Sequence, residues 1–167
     1  MTLPAIALSV RQPWAWAIIH AGKDIENRSL AAVKHGMKPG RIAIHAAKGM
    51  TRDEYQDARD FMALLGVVCP APADLVRGAI IGAVTVTEIV KGHPSPWWMG
   101  PRGLVLVNPV ACEPIPAVGA LGYFHWRPSG AAIDEPARWM LPAVSSAAKR
   151  ADEEPLLLWG IIYLTPR

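Results

Sequence analysis

Between Lys23 and Arg28 the chain sets two cations, two carboxylates and an amide side by side: Lys23, Asp24, Glu26, Asn27 and Arg28. A lysine ammonium can meet phosphate, and when desolvation lowers its pKa it can act as a base or a Schiff-type nucleophile. Glu26 and Arg28 lie two residues apart, so on an extended segment they share a face. There the planar guanidinium can hold either the carboxylate or a phosphate. Lys23 is out of phase with both. Two readings follow: a structural ion pair at the edge of a cleft, or a ligand contact led by Lys23 with Glu26 as a catalytic partner.

Other segments carry similar chemistry. Arg11, Gln12 and Trp14 flank the start of an apolar segment, where a cation, free N–H groups and a ring can seat a phosphate and stack a base. Trp14 serves equally well as core, and Trp16 reads as core. His45 can act as an acid or base near neutral pH, or sit buried and hydrogen-bonded, with the cation Lys48 three residues on. In Pro96–Arg102 two adjacent tryptophans cannot easily both face inward, so an exposed Trp98 beside Arg102 would suit stacking with phosphate contact. The alternative is a loop packed on the barrel end. The histidines lack metal-ligand spacing, and Cys69 and Cys112 form neither a zinc motif nor a disulfide framework. The expectation is no metal, no cofactor and reduced cysteines.

These groups need elements to position them. A short strand from Ala7 to Val10 should lead into a helix from about Pro13 to Ala21, since proline suits a first helical position and Gly22 suits the exit. Residues 24–29 read as extended. Lys38-Pro39-Gly40 marks a turn, and Arg41–Ala47 alternates as a strand. Thr51 and Glu54 form a capping box for a helix whose apolar positions are Ala58, Phe61, Met62 and Leu65, with Gly66 as the stop. Gly78–Val90 is the strongest strand, and Gly82 within it marks a bulge or close backbone approach. Leu104–Val107 should form a strand closed by Asn108-Pro109, and Ile115–Trp126 another, broken at Gly119 and Gly122. A helix from Pro136 to about Ala151, capped by Asp134 or Glu135 and facing Trp139, Met140 and Val144 inward, should precede a final strand at Pro155–Leu164. Five or six strands and three helices in mixed order imply an α+β fold: a small barrel or curled sheet with helices outside.

Bulk properties bound the function. The chain has 167 residues, 51% of them hydrophobic, enough for one domain with its own core. No apolar run approaches the roughly 20 residues that span a bilayer, and the first ten residues lack a signal-peptide pattern; these predict a cytoplasmic protein without a membrane partner. Residues 1–52 hold eight lysines and arginines against two acids, while the remainder holds nine against twelve. That asymmetry is compatible with one positive face turned to phosphates, or with scattered solvated charge.

Leu8–Ala15 (LSVRQPWA) resembles the opening of the ASCH domain, the homology domain of activating signal cointegrators. Lys23–Arg28 is similar to that family's G-x-K-x-x-E-x-R motif, with Ala21 at the motif's glycine position and Gly22 next to it. Ile44–Lys48, Gly78–Val86, Gly100–Pro109 and Ile115–Leu121 follow the later family pattern in order. The resemblance spans about residues 7–126 of a single domain, leaving 127–167 as a C-terminal helix-and-strand extension. It implies a PUA-like β-barrel with a cleft beside the first helix, the Lys23 motif on its wall, and a role in binding or processing RNA or other nucleic acid, with single-stranded or modified RNA among the candidates. Some relatives hydrolyse N4-acylated cytidines with the motif lysine, a threonine and a distant glutamate. Here Glu26 stands at the position of that hydroxyl, and Glu88 is the available distant carboxylate. Ribonuclease activity is also attributed within the family, for which His45, Lys23 or Lys48, and Tyr55 are candidate groups. The expected function is therefore nucleic-acid binding through Arg11, Gln12, Trp14, Lys23, Arg28, Lys48, Trp98 and Arg102. The alternative is metal-independent hydrolysis using Lys23, Glu26 and His45.

Overall fold

The β-branched run Ala79–Val90 forms a twelve-residue strand inside the sheet, apolar and buried over its first half. In the computed structural model, which describes residues 2–143, nine regular elements follow one another. They are β1 (Ile6–Val10), α1 (Trp14–His20), β2 (Ile25–Arg28), α2 (Leu30–Lys34), β3 (Gly40–Ala46), α3 (Arg52–Leu64), β4 (Ala79–Val90), β5 (Arg102–Pro116) and β6 (Tyr123–His125). Single 3₁₀ turns occur at Pro72–Asp74 and Arg138–Met140. The six strands form one sheet in the order β2-β5-β4-β3-β1-β6, and every neighbouring pair is antiparallel except β1 and β3. The α+β class and the curled sheet are as the patterning implies, and the described residues alone supply six strands.

The sheet is curled. Arg28 on the edge strand β2 donates to the Ser9 carbonyl on β1 at 2.9 Å, although β1 stands four places away in the strand order. Inside the curl lies the main core, where Leu8, Val10, Ile42, Ile44, Val84, Val86, Leu104 and Leu106 meet Ile18 and Ile19 of α1. The opposite face of β1 and β3 is covered too: Ala7, Ala43 and Ile80 pack with Ala117, Ile115 and Phe124. Coverage on both faces explains why Ile42 to Ala46 are all buried rather than alternating.

The strand expected at Leu104–Val107 runs on into the start of the next one. β5 runs from Arg102 through Asn108-Pro109 to Pro116, because a bulge absorbs the breakers. Ala83 pairs with Val110 and Thr85 with Val107, so β5 carries an extra residue there, and Asn108 takes a positive φ of 52°. Asparagine tolerates that region, and proline is admitted to strands at bulges. A second slip between Ile80 and Gly82 lets the strand bend further. β6 keeps the end of the expected Ile115–Trp126 strand. α2 was not anticipated; its signal is Ser29, whose hydroxyl accepts from the Ala32 amide. The α3 capping box forms as expected between Thr51 and Glu54.

The helix expected from Pro136 does not form over its described part. After Arg138–Met140 the chain turns extended at Leu141, next to Pro142, which lacks an N–H and pushes its predecessor out of helical geometry. Asp134 is no cap; it pairs with Lys48. The rest of that helix and the strand at 155–164 lie outside the described residues.

Gly82 is the close approach foreseen. A Cβ there would lie 2.5 Å from the Val110 carbonyl and 2.8 Å from Ile19 Cδ1. Gly82→Ala should therefore destabilise the fold by about 1–3 kcal/mol through overpacking. Urea unfolding of the two proteins measures this, and an unchanged midpoint would contradict the packing.

Candidate functional site

The opening charge cluster is largely interior. Gly22, at a positive φ of 68°, ends α1 and brings the Lys23 amide back to the Ala17 carbonyl. From there the Lys23 side chain reaches Glu26 Oε2 at 2.8 Å and the Ile25 carbonyl, and it is only 2% exposed. Arg28 holds the other carboxylate oxygen, Oε1, at 3.2 Å while donating to Ser9. The Glu26–Arg28 pair is as expected, but Lys23 is not the mobile ammonium that its exposed-looking neighbourhood suggests. It precedes β2, so strand alternation does not bind it, and its stem folds back onto the same carboxylate. The Trp14 ring, half-buried and edge-on to Phe61, lies 6.0 Å from the ammonium.

The flanking polar residues fasten neighbouring loops. Asn27 donates to the Trp97 carbonyl and accepts from the Met99 amide, each at 2.8 Å, and Asp24 accepts from Ser95. This locks the Pro96–Arg102 loop on β2. Trp97 is buried against Ala17, Ile25 and Met62, and Trp98 lies half-buried across Gly103, where a Cβ would meet its ring at 2.7 Å. Of the two expectations for this loop the packed one is nearer: a backbone without a side chain at Gly103 lets the second ring lie down, leaving it half-buried. Arg102 is half-buried and donates to the Pro101 carbonyl.

Gln12 is also structural. Buried behind α1, it accepts from the Trp16 amide at 2.9 Å and donates to the Val76 carbonyl at 2.7 Å. Arg11 is exposed and paired with Glu54 of α3, its guanidinium beside Gly49. Tyr55 is tied to the Pro70 carbonyl and Glu88 is exposed on β4, so neither joins Lys23 or His45.

A second cluster lies on the other side of Ser9. The parallel register of β1 and β3 sets Ser9 directly beside His45. Ser9 Oγ lies 2.9 Å from His45 Nδ1, and His45 Nε2 lies 3.0 Å from the Ala117 carbonyl. A carbonyl only accepts, so Nε2 carries the proton, Nδ1 is a bare acceptor and the serine hydroxyl donates to it. Burial lowers the His45 pKa from 6.5, partly opposed by the bond to Ala117, and Phe124 stands edge-on to the ring at 5.9 Å. Both side chains line a cavity of about 590 Å³, whose wall includes Lys48, Asp134 and the loop from Pro116 to Leu121. Lys48 is exposed and pairs with Asp134 at 3.1 Å. The volume lies in the range of small-ligand sites.

The structure thus brings His45 and Lys48 together, with Arg11 near the same turn through Gly49, and joins Lys23, Glu26 and Arg28 in a separate, buried network. Trp98 and Arg102 do not line the cavity. Ser9 is the residue that sequence reasoning missed. It stands 36 positions from His45, so the pairing follows from strand register alone. A larger groove of about 1150 Å³ lies between α3 and Arg138–Ala143, and of the candidate residues it is lined by Tyr55, away from His45, Lys23 and Lys48. Among the described residues no cluster of three or more His, Cys, Asp or Glu is placed to hold a metal ion, and no helix is long and apolar enough to cross a membrane. Comparison with protein-family models and with curated proteins finds no match.

Two outcomes follow. Glu26→Ala leaves Lys23 and Arg28 without their shared carboxylate, and should cost about 3–5 kcal/mol of folding stability in denaturant titrations; a loss below 1 kcal/mol would show the network to be dispensable. His45 stays neutral to below pH 6.5 in the folded state. Its contribution to stability is complete above pH 6.5 and is lost as pH falls through that value toward the lowered folded pKa, because the unfolded chain takes up the proton first. Ring-nitrogen NMR should find Nε2 protonated and Nδ1 bare at pH 7; the opposite tautomer would rule out the bond assignment.

Proposed function

We propose that the chain is a cytoplasmic, PUA-like domain of the ASCH class that binds RNA, with an unstacked base in the cavity beside Ser9 and His45 and the backbone on Lys48 and Arg11. The single observation that carries this reading is the cavity itself. It is large enough for one nucleoside, mostly apolar, and bordered by Lys48, with Arg11 across the same turn at Gly49. Sequence-specific RNA recognition commonly takes splayed-out bases in this manner.

The rim charges are not free, since Lys48 pairs with Asp134 and Arg11 with Glu54. Arg11–Glu54 is exposed and Lys48 is exposed against a half-buried Asp134; such surface pairs contribute about 0–1 kcal/mol, so a polyanion can exchange for the carboxylates at little cost. Lys23 and Glu26 enter this reading as supports: with 2% and 7% exposure they hold Arg28, and through it β1, rather than touch the ligand. Trp98 and Arg102 offer a second contact strip on the locked loop, outside the cavity.

Fluorescence anisotropy with a labelled single-stranded RNA tests the proposal. Binding should weaken steeply with salt, and Lys48→Ala and Arg11→Ala should each lower the salt slope by about 1. Lack of binding at 50 mM salt and about 100 µM protein, conditions where even non-specific contacts register, would defeat it.

A further inference from the structure

We propose that Ser9 and His45 form a nucleophile–base pair and that the cavity hydrolyses small acyl esters or amides through a covalent Ser9 intermediate. This goes beyond RNA binding and does not depend on it, although an RNA base in the cavity would compete with an acyl substrate. The geometry carries it: the Ser9 hydroxyl points its proton at a bare imidazole nitrogen 2.9 Å away, and both groups line a cavity of about 590 Å³. A nucleophile hydrogen-bonded to a base that a third group orients is the recurring arrangement for acyl transfer. Here the Ala117 carbonyl is that third group, since its bond to Nε2 keeps Nδ1 unprotonated.

The covering loop is shaped to the pair. At Gly119 a Cβ would sit 2.5 Å from His45 Cε1 and 2.6 Å from Ser9 Oγ, so a residue with a side chain would displace both. Lys48 is the cation on the cavity wall, placed to favour a developing negative charge or an anionic acyl group. The groups facing the imidazole are Ser9 from β1, the Ala117 carbonyl and Gly119 from the segment after β5, and Phe124 from β6, with Lys48 and Asp134 the charged groups of the cavity. Among the described residues none of its direct neighbours is charged.

The chemistry balances with water as the co-reactant. Ser9 Oγ bonds to the acyl carbon as its proton passes to His45 Nδ1, and the carbonyl electron pair moves onto oxygen. Collapse of that intermediate breaks the bond to the leaving alcohol or amine, which takes the proton from Nδ1 and leaves an ester on Ser9. Water then gives a proton to Nδ1 and bonds to the ester carbon. The Oγ–C bond breaks, Ser9 recovers the proton, and a carboxylic acid departs.

The experiment uses the full chain, a fluorophosphonate probe read by peptide mass spectrometry, and p-nitrophenyl acetate turnover. Labelling should fall on Ser9, vanish in Ser9→Ala, and slow by about 10²–10⁴-fold in His45→Asn, the range that a general base supplies. Gly119→Ala should suppress labelling as well, with circular dichroism confirming that each variant is folded. In the wild type the labelling rate should rise with pH through one ionisation below 6.5 and then level, which keeps the test open if His45→Asn does not fold. Absence of a Ser9 adduct at saturating probe, labelling that survives His45→Asn, or a rate independent of pH from 4.5 to 8 would each overturn the proposal. Loss of RNA binding alone would leave this labelling unchanged, so the two readings fail separately.

Discussion

One buried carboxylate holds the curl of the sheet. Glu26 is shared by Lys23 and Arg28, and Arg28 passes the connection on to the Ser9 carbonyl. Among the described residues β2 is an edge strand, with β5 as its one sheet neighbour. Without a link to the other side it would close nothing. With Arg28 Nη2 shared between Glu26 Oε1 and the Ser9 carbonyl, the edge is drawn to β1, four strands away. The Tyr123 phenol of β6 feels the same guanidinium, which opposes the rise that burial imposes on its pKa. A buried ion cluster need not add net stability compared with an apolar substitute, because three charges must leave water. Its effect is positional: once the groups are buried, each requires the others, and the curled arrangement is the one that brings them together, with Arg28 Nε left unpaired among the described residues.

That constraint reaches the cavity through one residue. Ser9 offers its carbonyl to Arg28 and its hydroxyl to His45, so the charge network and the cavity meet on β1. The parallel pairing of β1 with β3 matters as much. It aligns Ser9 with His45 and sends both strands toward the same end, where the chain leaves β3 at Ala47–Lys48. Small residues make the room: Ala7, Ala43 and Ala117 pack behind the pair, and Gly119 covers it without a side chain. In open α/β sheets ligands gather at the carboxyl ends of parallel strands. Here a single parallel pair in a largely antiparallel sheet builds the equivalent place.

Local rules made most elements legible. The Thr51 capping box, the β-branched run at Ala79–Val90 and the close approach at Gly82 are written in residue types whose physics acts over a few positions. Asn108-Pro109 misled for the same reason, since these residues end strands in isolation and only the partner strand decides that a bulge will carry them. The short α2 is announced by Ser29 alone, too little signal against an extended segment. The site was half legible. Lys23, Glu26 and Arg28 stand out by charge and do interact, yet their burial depends on α1 and Trp14, which spacing does not reveal. The resemblance to the ASCH pattern drew attention to Arg11, His45 and Lys48 but not to Ser9, because its partner is set by a parallel register that spans 36 residues.

The two clusters also explain why charge density is a poor guide to function in this chain. The densest run, Lys23 to Arg28, spends its polar groups on one another and on backbone: Asp24 on Ser95, Asn27 on Trp97 and Met99, Lys23 on Glu26 and the Ile25 carbonyl. Saturated groups have little left to offer a ligand. Ser9 and His45 are fewer and uncharged, but the serine oxygen keeps unused lone pairs on a cavity wall and its proton already lies on the path to a base. A buried neutral imidazole resists becoming a cation, which makes it a weaker base than one in water. The Ala117 carbonyl partly offsets this by favouring the protonated ring. That balance suits activated acyl groups, whose leaving atoms ask least of the base, and it locates reactivity where the polar groups are sparse and aligned rather than where they are many.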